Sequence, residues 1–280
     1  MGKREFKENI EEKIKQITEK PLLTSVIVLV ILTILVLGLS LPYYFDNFRD
    51  FFKEVLAEAH GMLFDIAIIG ILIYWLRENG EKQLRIKMYK DEIDDFRQWE
   101  SEEAAFRTVG NIKRLNRHKI TEINLVNCHL TKTNMSHVEL TGSNLNSSNF
   151  SHANAIECNF SATRANQTNF ENAKMNQANF EGAFASGANF KDAFLIKANF
   201  KNAFLIKSDF SNAYLMEADL SNCHLTGAVF DEASLYKANL RGAEGITVDQ
   251  LKKVKTLYLA ELDDDIKSEI QESYPELLGK

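Results

Sequence analysis

The spacing of hydrophobic positions changes twice along the chain, and each change marks a different element. Residues 22–41, LLTSVIVLVILTILVLGLSL, are apolar all round and hold no charge. Twenty such residues make a helix of about 30 Å, the thickness of a bilayer's hydrocarbon core, so they predict a transmembrane helix. Pro21 suits its first turn and Pro42 ends it. No A-x-A cleavage site follows, which argues against a secretory signal. A second apolar run, Met62 to Leu76, is broken only by Asp65. Extended back over Glu58 and His60 it is long enough to span. Six aromatics between Tyr43 and Phe52 precede it, with Phe45, Phe48, Phe52 and Val55 at helical spacing. That pattern predicts an interfacial amphipathic helix at headgroup level.

Residues 81–118 then read as helix, rich in Glu, Lys, Arg and Gln, with an apolar stripe of Phe96, Trp99, Phe106, Val109, Ile112 and Leu115. The stripe is expected to dock on the domain that follows. A coiled-coil dimer is the rival, though two heptads make a poor seam.

From Ile123 a period of five takes over. With the central position named i, it runs from Leu125 to Leu240 without a break in phase. Position i−2 is small almost throughout, from Ala153 to Ala238, and i−1 is Asn in eleven units and Asp in two, a turn-forming choice. Sorted by twenty, the i positions form columns. One is Leu130, Phe150, Phe170, Phe190, Phe210 and Phe230; the column two units away includes Phe160, Phe180 and Phe200. Where two Phe share a coil an Ala accompanies them, so volume per coil is held nearly constant, as a close-packed interior requires. Four units per coil and six coils at about 4.8 Å give a stack of about 29 Å. Ile123, His129, Val138 and Glu139 fit the pattern loosely and point to an irregular first coil. Gly242, Gly245 and Thr247 break the phase. Thr247 with Gln250 reads as a capping box that starts a helix with Leu251, Val254 and Tyr258 facing inward, and a second short helix is expected after Asp263.

These spacings divide the chain into an N-terminal segment (1–21), a first span (22–41), an aromatic loop with its interfacial helix (42–54) and a second span (55–76). Charged linker helices (77–118), the repeat (119–246) and a helical cap (247–280) follow.

Charge sets an orientation. Residues 1–20 hold six Lys/Arg and residues 77–90 hold five, against two in the loop at 42–57. By the positive-inside rule both termini and the repeat are cytoplasmic. Basic residues 77–90 suit anionic headgroups, whereas 91–103 are acidic. Counting depth from the inner boundary puts Thr33 about 16 Å and Asp65 about 18 Å into the hairpin, so the two are expected to meet in a hydrogen bond. Gly38 and Gly61 match in depth as well.

Stretches such as Ala198-Asn-Phe, Ser208-Asp-Phe, Ala218-Asp-Leu and Ala238-Asn-Leu resemble the pentapeptide-repeat family pattern A(D/N)Lxx. That resemblance implies an all-β, right-handed quadrilateral β-helix with i and i−2 inward. The flanks EAHGMLFDI (Glu58–Ile66), GNIKRLN (Gly110–Asn116) and KTLYLAELDDDI (Lys255–Ile266) resemble a membrane-anchored bacterial subgroup, which implies the inner membrane. Some members of the family resemble DNA by a strongly acidic surface. Here residues 119–246 hold 10 Lys/Arg and 12 Asp/Glu, which argues against mimicry, and Lys191, Lys197, Lys201 and Lys207 are too dispersed for a nucleic-acid groove.

No nucleophile–base pair, phosphate loop or metal motif stands out, and no cofactor or catalysis is expected. Cys128, Cys158 and Cys223 all fall at i−2, where a small buried residue is needed; their spacing fits neither a disulfide framework nor a zinc site. His118, His129, His137, His152 and His224 form no cluster. What remains is a set of outward apolar side chains. Phe194, Ile196, Tyr214 and Met216 share one side, and Phe184, Phe204 and Ile206 the opposite one. A covering helix or a partner would each explain them. Thr33, Glu58, His60 and Asp65 are the polar groups of the spans, Asp65 the costliest. The reading that follows is a membrane-tethered scaffold that contacts lipid, self-associates and binds another cytoplasmic or membrane protein. The alternative is an oligomeric channel or transport accessory built around Asp65.

Overall fold

A computed structural model describes residues 30, 31, 33, 34, 38 and 48–279. The first span lies mostly outside the described residues; Val30, Ile31, Thr33, Ile34 and Gly38 are helical. The chain divides into two compact units between Asn79 and Gly80. Helix α1, Phe48–Asp95, crosses that boundary. The stretches expected to form an interfacial helix, a second span and the start of the linker are therefore continuous in one helix from Phe48 onward. In the first unit its apolar stretch is wholly exposed, and the helix is long and apolar enough to cross a membrane.

In the second unit the five-residue period becomes a four-sided coil. Positions i−2, i−1 and i are extended, so i−2 and i share the inner face and i−1 points out. The next two residues turn the corner. Cys128 N–H donates to the Leu125 carbonyl at 3.0 Å, closing a four-residue turn, and the same bond recurs along the repeat. The third turn residue has positive φ in every unit from Asn127 to Gly242, which makes the turn type II. Only five of these residues are glycine; the rest hold the left-handed conformation because the ladder above and below fixes them. Coils join in parallel with a step of 20 residues, from Asn124↔Asn144 to His224↔Glu244. Leu125 N–H reaches the Asn144 carbonyl at 2.7 Å, and Asn144 N–H reaches the Ile123 carbonyl at 3.0 Å. With two of five residues spent in each corner, pairing is limited to isolated bridges, and no longer strand forms among the described residues. The first coil is regular despite its looser sequence: His129 and Glu139 bridge to Asn149 and Asn159 like any other pair, since an i−1 side chain points outward and tolerates substitution.

The i side chains are fully buried, and their rings form the two predicted columns. Phe150, Phe170, Phe190, Phe210 and Phe230 stack at 4.8–5.3 Å, as do Phe160, Phe180 and Phe200 at 4.7–4.9 Å. The columns meet edge to face, with Phe180 and Phe190 centred 5.6 Å apart at 89°.

Both ends are covered. The linker is not one helix: it breaks after Asp95, where Arg97 turns aside to donate to the Val126 carbonyl at 2.7 Å. Ser101 then caps α2, Glu102–Arg117, by accepting from Ala104 N–H at 3.1 Å. Val109, Ile112 and Leu115 bury on the first coil as expected, and Asn116 ties α2 to it by accepting from Glu139 N–H at 2.9 Å. Trp99 and Phe106 do not join them; Phe106 is 78% exposed.

At the far end the Thr247–Gln250 capping box forms, but helix α3 is only Val248–Leu251. The chain then re-enters the ladder: Thr256 bridges Ser234 and Glu261 bridges Asn239, now 22 residues on. Leu251, Leu257 and Leu262 fill inward places in this seventh coil. Two extra residues around α3 hid the resumed phase. Leu251 and Val254 are buried as expected, whereas Tyr258 turns outward and stacks on Tyr236 at 5.8 Å. Helix α4, Asp264–Ser273, follows Asp263 as expected, and with a 3₁₀ turn, Pro275–Leu278, it closes the end through Ile270 and Leu277.

Candidate interaction surface

The outward i−1 position differs from side to side. On two opposite sides it is a ladder of Asn and Asp. Asn189 Oδ1 accepts from Lys191 N–H at 3.0 Å, and Asn199 Oδ1 from Lys201 N–H at 3.0 Å, so each side chain caps its own corner. The Asn side chains also bond down the ladder, Asn189 Nδ2 to Asn169 Oδ1 and Asn199 Nδ2 to Asn179 Oδ1, both at 3.1 Å.

The other two sides carry the aromatic groups, and the structure brings them together as their period requires. Phe194 and Tyr214 stack at 4.8 Å with 37% and 42% of each exposed. Ile196 and Met216 lie half-buried beside them. On the opposite side Phe184, 45% exposed, stacks on Phe204 at 4.8 Å, and Phe204 on His224 at 4.4 Å. Phe204 is half-buried and Ile206 exposed. The stacking is within the chain, and among the described residues nothing covers either stripe. α2, α3 and α4 lie at the ends of the stack, on the coils beyond.

The Phe194 side is longer than its sequence suggested. Tyr236 and Tyr258 continue it toward the cap, with exposed Leu259 beside them. Leu257 and Leu262, five apart and inward, were the signal that could have revealed this extension. The corner below the stripe is charged: Lys197 and Glu217 pair at 3.6 Å, and Lys237 lies 5.3 Å over the Tyr236 ring.

Other polar groups are scattered or inert. His129 pairs with Glu100, His137 with Glu157 and His224 with Glu244, each alone, and among the described residues no group of His, Cys, Asp and Glu could hold a metal ion. All three thiols are free and buried. Burial raises Cys128 to a pKa of about 11 and Cys158 and Cys223 to about 12. Cys158 donates to the Met135 carbonyl and Cys223 to the Phe200 carbonyl, the coil-to-coil bond that Thr168 makes with Leu145. On α1, Glu58, His60 and Asp65 are exposed; Glu58 and Asp65, seven residues apart, share a face, and His60 donates to the Leu56 carbonyl at 2.6 Å. An open groove of about 730 Å³ between α2 and the first coil is lined by Phe106, Val109 and Thr131–Asn134.

The family model for pentapeptide repeats matches in eight copies, over residues 123–161, 156–192, 173–212, 186–222 and 213–244. No curated protein matches the chain. Similar solved structures include a pentapeptide repeat protein from the Arabidopsis thaliana thylakoid lumen, at 27% identity over 41% of this chain and 71% of that one, TM-score 0.27. Another is HetL, involved in heterocyst differentiation regulation in the cyanobacterium Nostoc, at 24% identity over 48% of this chain and 68% of that one, TM-score 0.22. A third is Rfr23 of Cyanothece, at 19% identity over 55% and 98%, TM-score 0.29. The unbroken phase, the 20-residue step of the ladder and the matched segments agree: residues 123–244 are a domain of the pentapeptide-repeat family.

Proposed function

We propose that this chain is a membrane-tethered scaffold that presents its β-helix to a protein partner. The observation that carries the reading is the uncovered Phe194–Tyr214 stripe, set on a coil whose neighbouring sides are polar Asn ladders. Solvent-facing aromatics have a cost in water that a partner removes. The tether is a helical hairpin, its second span the apolar part of α1 and its first span residues 22–41, with Asp65 level with Thr33. Lysine and arginine counts of six and five against two put the repeat on the cytoplasmic side of a bacterial inner membrane.

The three native thiols are buried, which leaves a silent background for thiol labelling. Asn47→Cys should react with an impermeant maleimide on intact cells, and Lys280→Cys only after permeabilisation. The reverse pattern rejects the orientation, and loss of the chain from the membrane fraction by alkaline carbonate rejects the tether. Crosslinking in native membranes should capture a protein whose yield falls when Phe194 and Tyr214 are changed to Ser. A yield indifferent to both changes rejects the stripe as the contact.

A further inference from the structure

We propose that the partner on the Phe194 side is a second copy of this chain, packed antiparallel about a two-fold axis that lies between the Lys197 and Glu217 rungs. The proposal rests on the reading of this side as an interaction surface and names its occupant. A two-fold contact is self-complementary: each residue on one side of the axis must suit its counterpart on the other. Face-to-face packing with the axis across the coils keeps each outward column against itself and reverses the order of rungs. Phe194 then meets Tyr214 of the other copy, and Ile196 meets Met216. On the corner column Lys197 meets Glu217, and the same pair forms again on the other side of the axis.

The flanking rungs agree. Lys174 falls opposite Ser234, Asn176 opposite Tyr236 and Gln177 opposite Lys237, so no like charges meet in these columns; on the other corner Glu171 falls opposite Asp231, which Lys253 of its own chain already pairs at 3.4 Å. Other placements fail this test. An axis through the Tyr214 rung sets Lys197 against Lys237 of the second copy. A parallel two-fold keeps each rung level and exchanges its edges, so Glu217 faces Ser211 and Asn212 with no cation, and Lys197 faces Lys191 as well as Asp192. On the opposite side an axis between Phe184 and Phe204 sets Glu181 against Lys201, but it also sets Gly187 against Lys207 and Arg164 against His224, which leaves Lys207 and Arg164 without acidic counterparts. The Phe194 side is apolar at its centre, opposite in charge on its Lys197 corner, and extended by the Tyr236–Tyr258 stack. Each side is about three extended residues, or about 10 Å, wide, so the contact is small and the association weak. Confinement of both copies to one membrane would raise their effective concentration.

The test uses the full chain in detergent, with association followed by sedimentation over a range of concentrations. Lys197→Glu alone and Glu217→Lys alone each place like charges across the axis and should weaken association about tenfold. Mixing these two variants restores every opposite pair between unlike copies, and the mixture should associate as the native chain does. Unchanged thermal unfolding of each variant verifies that the fold persists, since both side chains are exposed. Association indifferent to the reversals, or not restored on mixing, overturns the two-fold contact. A native chain that stays monomeric, yet loses a crosslinked partner when Phe194 and Tyr214 are changed, also overturns it while the scaffold reading stands.

Discussion

Phe190 and Phe194 lie four residues apart and belong to neighbouring sides of one coil. Each stacks on an aromatic ring of the next coil at 4.8 Å, nearly parallel. The inner ring is fully buried and the outer one 37% exposed. The ladder spacing alone therefore produces aromatic stacks wherever aromatic residues recur at twenty, and stacking is no sign of a structural role. What separates the two is the second set of contacts. Phe190 also meets Phe180 and Phe200 edge to face, at 5.6 and 5.5 Å, and has protein on every side. Phe194 has a coil behind it and, among the described residues, nothing in front.

Breaking the inner stack should have the largest effect. Phe190→Ala removes a ring from a filled interior and is expected to destabilise by about 3–5 kcal/mol, measured by urea unfolding of the full chain. A loss under about 1 kcal/mol would mean that the columns are not the core. Ala185→Leu, in the same coil, should cost about 1–3 kcal/mol by overpacking. Combined with Phe190→Leu it should cost less than the sum of the two single changes, because coil volume is then nearly conserved. Additive losses would show that coils are not filled to constant volume.

A smaller effect separates inward from outward polar groups. The three thiols, buried at i−2, have pKa values raised by burial from 9.0 to about 11–12. A thiol with a higher pKa folded than unfolded gives its full stabilisation below the unfolded value. That contribution is lost as pH rises through the folded one, because the unfolded chain gives up its proton first. The melting temperature of the native chain should therefore fall between about pH 9 and 12, and that of a triple Cys→Ala variant should fall less. Equal falls would assign the alkaline loss to other groups.

This contrast also explains what could be read from the chain. The inward columns were legible because burial on a fixed period leaves a compositional trace: Phe, Leu and Ala recur at twenty, and even the cysteines fell where a small residue is needed. The outward stripes were legible as exceptions to that trace. The seventh coil was hidden by two inserted residues, and with it the Tyr236–Tyr258 extension, because a phase argument fails at an insertion although the ladder continues. The break between α1 and α2 was missed for a different reason. Local propensity favours helix through 81–118, but Arg97 reaches a carbonyl of the first coil, and that contact is not local. Partition of the linker stripe, with Leu115 buried and Phe106 exposed, depends on the same docking.

The smallest expected effect bears most directly on the outer stack. On the Asn sides the i−1 side chain accepts the N–H two residues on, as Asn199 does from Lys201 at 3.0 Å. Tyr214 cannot, and among the described residues Met216 N–H has no protein acceptor. Tyr214→Asn would supply that acceptor, a gain of about 0.5–1.5 kcal/mol. It would also remove the stack on Phe194, a loss of about 0.5–1.5 kcal/mol for an aromatic pair. The two nearly offset, so unfolding should shift by less than about 1 kcal/mol, while association through this side should weaken. A loss above about 2 kcal/mol would make Tyr214 a structural residue like Phe190, and the exposed stripe would then be a consequence of the ladder rather than a surface held open for a partner.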